Sequence, residues 1–280
     1  IIVGLVFGAF AKFSFFKEDS VIPDFVRQWF DSLLPIMLLI AGGWLTVQVA
    51  GVDVAGAVQA VFMPLQSALT SPVGFVFFCF LKCFIHSMGI STWVLTPVDE
   101  PVKLAVITAN LELVAAGIAT YQNLGIFTET FMFCTYLWIG GVGCTLSLCL
   151  LMMFICKSSE LKALGRACVV PGIFNINEPI IFGAIAWNPL LMLPMWLQGI
   201  ILPIVTYIFT KVIPFAPIPR IQFDLWYCPY PISTFIATQG SITGVIFAIL
   251  TFVLSAVIWF PFVKAYDDQK VKEETAAIKA

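Results

Sequence analysis

Charged residues are scarce in this sequence. Asp, Glu, Lys and Arg make up 11% of its 280 residues, and 60% of the residues are hydrophobic. An average soluble domain has roughly 25% charged residues, so the composition indicates a membrane protein. The formal net charge is −2, and no basic patch stands out. We therefore predict no nucleic-acid partner.

Patterns that bind metals are also missing. The chain has a single histidine, His86, and eight cysteines that form no CxxC pair. We predict no metal site and no cofactor. The cysteines lie mostly in apolar runs, where they act as small buried hydrophobic residues.

Long charge-free runs dominate the sequence. Residues 130–156, 179–210 and 225–263 contain no Asp, Glu, Lys or Arg. Each run exceeds the ~20 apolar residues that a helix needs to cross hydrocarbon, and 32–52 is just long enough. Their apolarity is continuous, whereas a membrane barrel shows alternation. The predicted fold class is an all-α polytopic membrane protein with transmembrane helices.

Other segments are predicted to have different roles. Residues 54–65 repeat apolar positions at helical spacing, which indicates an interfacial amphipathic helix. Residues 97–125 contain too many polar side chains for a lipid-facing helix, which favours a re-entrant hairpin or a cavity-lining segment. The apolar run 1–11 is too short to cross, so we expect the chain to begin inside a helix, as a fragment would.

Polar side chains and prolines interrupt the apolar sequence at residues 171–183. Asn175, Asn177 and Glu178 lie close together, and Pro179 follows directly. Pro179 suits the first turn of a helix, so we expect Glu178 at a helix mouth, near the positive end of the dipole. A carboxylate at membrane depth is costly and usually functional, so this segment is the main site candidate. The alternative is a polar kink satisfied by neighbouring helices.

A second polar feature lies within the apolar segment 72–95. Lys82 and His86 are four residues apart and share a helix face. If that face lines a cavity, Glu178 is their natural anion, and Lys82 should lie deeper or reach toward an interface. His86 has two interpretations, a substrate ligand or a histidine hydrogen-bonded between helices.

Basic residues predict the orientation of the chain. Lys157, Lys162 and Arg166 form a short basic loop, which the positive-inside rule places in the cytoplasm. We divide the chain into a membrane domain, 1–266, and a charged C-terminal tail, 267–280. The tail should also be cytoplasmic, and disordered or loosely helical.

Four stretches resemble those of a known family. The glycines of the first permit either close helix packing or a backbone break beside a ligand. Nearly the whole chain resembles the lactose/cellobiose-type enzyme IIC of the bacterial sugar phosphotransferase system. The stretches are Gly140-Gly141-Val142-Gly143-Cys144-Thr145-Leu146, Lys157-Ser158, residues 171–183, and Pro261-Phe262-Val263-Lys264-Ala265-Tyr266-Asp267.

The resemblance implies a multi-pass sugar permease of the bacterial inner (cytoplasmic) membrane. Such permeases bind a β-linked disaccharide of the cellobiose, lactose or chitobiose class and carry it to the cytoplasmic side. A separate phosphorylated enzyme IIB then supplies the phosphoryl group, so this chain is implied to be the transport component, without a phosphoacceptor of its own. The implied partners are the disaccharide, phosphorylated enzyme IIB and membrane lipid.

The resemblance also implies site residues. Glu178 takes the position of the sugar-binding carboxylate and His86 that of its paired histidine, and either is a candidate proton acceptor. Asn110 and Trp226 match a family asparagine and an aromatic residue near a proline-rich loop. Amide and carboxylate groups pair with sugar hydroxyls, and an aromatic face stacks on a pyranose. The candidate sugar ligands are Glu178, His86, Asn110, Asn175, Asn177 and Trp226.

Two departures from the family pattern leave questions open. The family usually has Trp-Phe-Phe-Gly-Ile-His-Gly where this chain has Leu81-Lys82-Cys83-Phe84-Ile85-His86-Ser87. This change removes an aromatic residue and adds a charge, so the identity of the sugar stays open. The family is also longer at its N-terminus by several spans, and those spans form most of its dimer contact. The resemblance therefore does not decide whether this chain forms a homodimer.

Two other function classes compete with the permease. A cation-coupled sugar transporter would use Glu178 and His86 as a proton relay and would accumulate unmodified sugar. A membrane scaffold without transport would tolerate the loss of the Glu178 charge. A neighbouring reading frame for an enzyme IIB or IIA would favour the phosphotransferase system.

Overall fold

Helices joined by loops make up the computed structural model, which describes residues 2–16 and 23–279. No β-strand occurs among these residues, and the predicted all-α class is confirmed. The α-helices are α1 Ile2–Ala9, α2 Asp24–Trp44, α3 Val54–Thr70, α4 Pro72–Ser87, α5 Thr96–Ala115, α6 Glu129–Phe131, α7 Thr145–Phe154, α8 Ser159–Ile173, α9 Glu178–Ile180, α10 Pro189–Tyr207, α11 Ile232–Ala237 and α12 Ile242–Lys279. Short π-helical turns cover Leu45–Val49, Met132–Tyr136, Ile181–Ile185 and Ile208–Val212, and a 3₁₀ turn covers Thr92–Leu95.

Internal contacts divide the chain into two units, Ile1–Val61 and Phe62–Ala280. In the first unit, the backbone N–H of Phe15 donates to the Asp31 carboxylate at 2.8 Å, which ties the segment after α1 to α2. The second unit contains the polar segments that the sequence analysis singled out. The boundary proposed from sequence between residues 266 and 267 falls inside α12, which runs through it without a break.

Several helices are long and apolar enough to cross a membrane. In the described part of the chain these are Val26–Val49, Pro189–Val212 and Ile242–Ala277. Residues Pro64–Thr70 and Pro72–Ser87 qualify as a pair, with a bend of 89° between them, as in a broken span or a re-entrant loop. The predicted span 32–52 therefore corresponds to a helix, and the charge-free runs 179–210 and 225–263 each overlap one of these long helices.

The apolar run 130–156 does not form one long helix. It begins with α6 and a π-helical turn, breaks at Gly140, Gly141 and Gly143, and ends with α7. The three glycines have φ angles of 84°, 93° and 91°. Residues with side chains rarely adopt this left-handed region, so the glycines keep residues 140–143 from continuing a helix. Apolarity alone gave the wrong length here.

The core of the second unit is built where α7, α10 and α12 meet. Hydroxyls of Ser147 and Ser255 lie 2.8 Å apart, and the Gln198 amide donates to the Ser255 carbonyl at 3.0 Å. Trp138 and Trp259 are both fully buried in this core. Small polar contacts of this kind hold apolar helices together where water is excluded.

The C-terminal end of α12 packs against the start of α8. The Asp267 carboxylate accepts the backbone N–H groups of Lys157, at 2.8 and 2.9 Å, and Ser158, at 2.8 Å. The Glu274 carboxylate accepts the Ser158 hydroxyl at 2.7 Å and the Glu160 N–H at 3.0 Å. These carboxylates satisfy N–H groups that a helix start leaves unpaired. Of the two states predicted for the tail, disordered or loosely helical, the described residues show a helix. We call this contact the tail clamp.

Candidate functional site

A cavity of about 280 Å³ lies in the second unit, among α4, α5, the glycine-rich break and the polar segment after α8. The polar segment 97–125 contributes Glu100 and Lys103 to its wall, as expected of a cavity-lining segment. Most of the sugar ligands proposed from sequence meet here. They are His86, Asn175, Asn177, Glu178 and Trp226.

Asn175 connects two walls of the cavity. Its backbone is left-handed, with φ of 61°, a conformation that Asn tolerates better than most residues. Its side-chain oxygen accepts the N–H of Gly140 at 2.7 Å, and its amide nitrogen donates to the carbonyl of Trp226. The amide thus fixes both the glycine-rich break and the loop that carries Trp226.

Asn177 positions the histidine. Its amide nitrogen donates to the Val142 carbonyl at 2.9 Å, and its oxygen lies 3.3 Å from Nε2 of His86. Nδ1 of the same ring lies 3.3 Å from the carbonyl of Ile90. Both ring nitrogens face acceptors, so a neutral imidazole donates to only one of them. His86 is both hydrogen-bonded between chain segments and part of the cavity wall, so its two interpretations coexist.

The glycine-rich break is needed for this arrangement. A Cβ on Gly141 would lie 2.5 Å from Cγ of Asn177, closer than atoms approach in proteins. Gly141 and Val142 both line the cavity. The glycines therefore provide a backbone break beside the cavity, with close packing against Asn177 as part of the same feature.

Glu178 is the first residue of α9, directly after Asn177, so the expected helix-mouth position is confirmed. Its side chain is exposed to the cavity. Within residues 2–16 and 23–279, Glu178 is the carboxylate of the cavity wall for which no hydrogen bond or ion pair is formed. It is available to accept hydrogen bonds from a ligand.

A charged cluster forms the opposite part of the wall. Lys82 Nζ lies 2.8 Å from the Asp99 carboxylate. Lys103 Nζ lies 2.6 Å from both Glu100 and Glu129 and 3.6 Å from Asp99. Burial opposes the Lys103 charge, but the Glu129 and Asp99 carboxylates outweigh burial and raise its pKa above the ordinary value.

This cluster corrects one expectation about Lys82, because its anion is Asp99 and not Glu178. The Lys82 side chain borders the cavity, and its ammonium ends on the fully buried Asp99 carboxylate instead of reaching toward an interface. The spacing of Asp99 and Lys103, four apart, signalled a pair on one helix face. Nothing in the sequence connected Asp99 with Lys82, because the contact joins two separate helices.

Asn110 lies outside the cavity wall. Its amide nitrogen donates to the carbonyl of Gly125 at 2.8 Å, and its oxygen accepts the N–H of Gly125 at 2.7 Å. This two-way bond braces α5 against the loop that follows it. The proposal that Asn110 is a direct sugar ligand has no support in this geometry, and we leave Asn110 out of the proposed site.

Aromatic side chains complete the wall. Trp226 lines the cavity as expected, and Trp93 of the 3₁₀ turn and Phe133 line it as well. The side chain of Trp93 is 62% exposed. Trp93 was not predicted as a site residue, because a tryptophan in an apolar segment has no sequence pattern that distinguishes a cavity wall from a lipid-facing surface.

An all-helical chain with apolar spans, broken polar segments and a cavity of carboxylate, amide and indole groups has the architecture of a membrane permease for a small polar solute. A family model described as "Phosphotransferase system, EIIC" matches residues 1–199, more than half of the chain. The chain belongs to this EIIC family, and the resemblance inferred from sequence is confirmed.

Named relatives support the family assignment. The chain is 33% identical to the lactose-specific EIICB component of Lactococcus lactis subsp. lactis over 261 residues, which cover 90% of this chain and 44% of the relative. It is 40% identical to the cellobiose-specific EIIC component of Geobacillus stearothermophilus over 152 residues, 54% of this chain and 33% of the relative. The chain thus spans less than half of either relative.

A solved structure has the same fold. The transporter ChbC, the IIC component from the N,N'-diacetylchitobiose-specific phosphotransferase system, superposes with a TM-score of 0.71 at 28% identity. The match covers 98% of this chain and 65% of the ChbC chain.

Proposed function

We propose that this chain binds a β-linked disaccharide in its cavity and carries it across the bacterial cytoplasmic membrane for phosphorylation by enzyme IIB. The observation that carries the proposal is the unpaired Glu178 carboxylate beside the Asn177–His86 contact. Relatives named for lactose, cellobiose and diacetylchitobiose favour a disaccharide. The name EIICB of the Lactococcus relative favours an enzyme IIB partner.

Each polar group of the wall has a role in this proposal. Glu178 accepts hydrogen bonds from sugar hydroxyls, and Trp226 stacks on the apolar face of a pyranose ring. When enzyme IIB delivers its phosphoryl group, the sulfur–phosphorus bond of its phosphocysteine breaks and a sugar oxygen–phosphorus bond forms. Glu178 or His86 accepts the proton that the sugar hydroxyl loses.

Orientation and lipid contact belong to the same proposal. Residues 157–167, which form the start of α8 and the two residues before it, and the end of α12 face the cytoplasm, since they carry the densest short-range Lys and Arg. Apolar side chains on α12 are half exposed or more, including Ile249, Val253 and Val257, and they contact lipid.

Uptake into membrane vesicles tests the function. Vesicles containing the protein and phosphorylated enzyme IIB should accumulate labelled cellobiose, lactose or diacetylchitobiose as the sugar phosphate, and vesicles without enzyme IIB should not. Accumulation of unmodified sugar that depends on a proton gradient would establish the cation-coupled transporter instead. Absence of uptake and of binding for all three sugars would favour a scaffold.

A further inference from the structure

We propose that Lys82 selects the sugar by donating hydrogen bonds to one oxygen acceptor, a hydroxyl or an N-acyl carbonyl, of a neutral disaccharide in the cavity. This inference rests on the disaccharide-permease function proposed above. It gives a role to the position at which the chain carries Lys where the resembling family pattern has an aromatic residue.

The first observation is the position of Lys82. It lies on α4 one turn before His86, and both side chains line the cavity. Lys82 is 4% exposed, and it borders the same cavity as His86. Because the two residues share one face of α4, a disaccharide that contacts His86 also lies close to position 82.

The second observation is that the ammonium has donors to spare. Its Nζ lies 2.8 Å from Asp99, and within the described ranges no other acceptor contacts it. Its remaining surroundings are the rings of Phe78 and Phe133, whose centroids lie 5.3 and 5.5 Å away. An ammonium carries three N–H donors, and unpaired donors away from water are costly. An oxygen of a bound sugar satisfies them.

Lys103 shows the contrasting case. Its ammonium contacts Glu100, Glu129 and Asp99, so each of its donors has a carboxylate to face. Lys103 holds the wall together, whereas Lys82 keeps capacity for a ligand.

The charges around Lys82 indicate a neutral ligand. Asp99 is fully buried and compensates the Lys82 charge. Glu100 and Glu129 outnumber the Lys103 charge, and Glu178 adds another carboxylate to the wall. Carboxylates repel an anionic sugar, so Lys82 acts here as a hydrogen-bond donor and not as an anion receptor.

The test removes the donor without leaving a buried unpaired charge. Lys82→Met alone would remove the nearest cation from the buried Asp99 carboxylate, so we combine it with Asp99→Asn and call this double variant the methionine pair. The matched control is Lys82→Gln with Asp99→Asn, which we call the glutamine pair. It has the same net charge as the methionine pair and retains N–H donors at position 82. Calorimetry in detergent measures binding of the disaccharide that the wild-type protein prefers, and of analogues in which single oxygen acceptors are replaced by hydrogen.

We expect the methionine pair to bind the parent sugar at least tenfold more weakly than wild type. One analogue should lack the oxygen that accepts from Lys82. Wild type should bind this analogue about tenfold more weakly than the parent sugar, whereas the methionine pair should bind the analogue and the parent sugar equally well. The glutamine pair should keep part of that difference. If the methionine pair does not fold, the glutamine pair is compared with wild type: a smaller loss for that one analogue supports the proposal, and an unchanged analogue profile overturns it.

Other outcomes overturn the proposal. A folded methionine pair with wild-type affinity and an unchanged analogue profile would make Lys82–Asp99 a purely structural ion pair. Equal loss for every analogue would mean that no single oxygen is recognised. Wild-type protein that binds no disaccharide would overturn the permease function and this inference together, whereas normal wild-type binding confines a failure to Lys82.

Discussion

The proposed sugar ligand Glu178 lines the cavity with an unpaired carboxylate. Glu178→Gln keeps the shape of the side chain and removes its charge, so we expect affinity to fall by about 1.5 to 3 kcal/mol, the range for a hydrogen bond to a charged group. Calorimetry of the purified protein measures the loss. Glu112→Gln on the exposed face of α5 is the control and should bind normally. Unchanged affinity in the Glu178 variant would refute the assignment.

His86 has a different expected signature. Its ring is held by Asn177 and the carbonyl of Ile90, and His86 and Glu178 both line the cavity. If it accepts the proton of the sugar hydroxyl, His86→Ala should slow phosphorylation about 100-fold or more, the usual range for general base catalysis, with a smaller change in sugar affinity. Phosphoryl transfer from enzyme IIB and binding are measured on the same preparation. A variant that phosphorylates at the normal rate would return His86 to a structural role.

At the residue scale, sequence found the groups that the backbone itself brings together. Asn175, Asn177 and Glu178 are close in the chain, and polarity at membrane depth drew attention to them. Lys82 and Asp99 were not connected, because their contact depends on how α4 and α5 pack. Asn110 shows the converse, since a polar residue in an apolar helix also arises when a loop backbone needs a partner.

The tail clamp makes a prediction about elements. Asp267→Ala leaves the N–H groups of Lys157 and Ser158 without their acceptor, and we expect about 1.5 to 3 kcal/mol of destabilisation, as for a charged hydrogen bond. Thermal unfolding in detergent should show a lower Tm. The neighbour Asp268 is the matched control, because it is exposed and its contact to Lys264 is a surface pair worth about 0 to 1 kcal/mol. Equal effects of the two substitutions would contradict the clamp.

Elements were predicted best where composition alone decides. The charge-free run 179–210 contains the helix Pro189–Tyr207 and the start of its π-helical extension. The prediction of one helix over 130–156 was wrong because hydropathy does not register the left-handed glycines that interrupt the run. The tail clamp was not predicted for a different reason. The carboxylates of the tail are bound by partners at the start of α8, and no local sequence pattern reveals those partners.

The whole molecule has a testable orientation. The tail clamp requires the start of α8 and the end of α12 to lie on one side of the membrane, and the basic loop predicts the cytoplasm. Single cysteines at Ser159 and Ala276, both exposed, should resist an impermeant thiol reagent added to intact cells and react in inverted vesicles. Cys228, which is partly exposed, is replaced in the background. Labelling of both sites from outside would reverse the orientation, and labelling of only one would contradict the clamp.

At this scale the sequence predicted the class of protein, because scarce charge and long apolar runs determine whether a chain folds in lipid or in water. It did not predict the cavity. Helix α5 contributes Glu100 and Lys103 to the wall, and its sequence alone was equally compatible with a re-entrant hairpin. Enclosure is a property of packing between segments distant in the chain.

The tail clamp has a mechanical consequence. Helix α8 leads from the clamp directly to Asn175, so the same helix carries the clamp at one end and the polar segment at the other. While the Asp267 bonds persist, a displacement of that segment along the axis of α8 has to move the end of α12 as well. A pull on the end of α12 would therefore act at a distance on Asn175 and on the cavity wall to which Asn175 belongs.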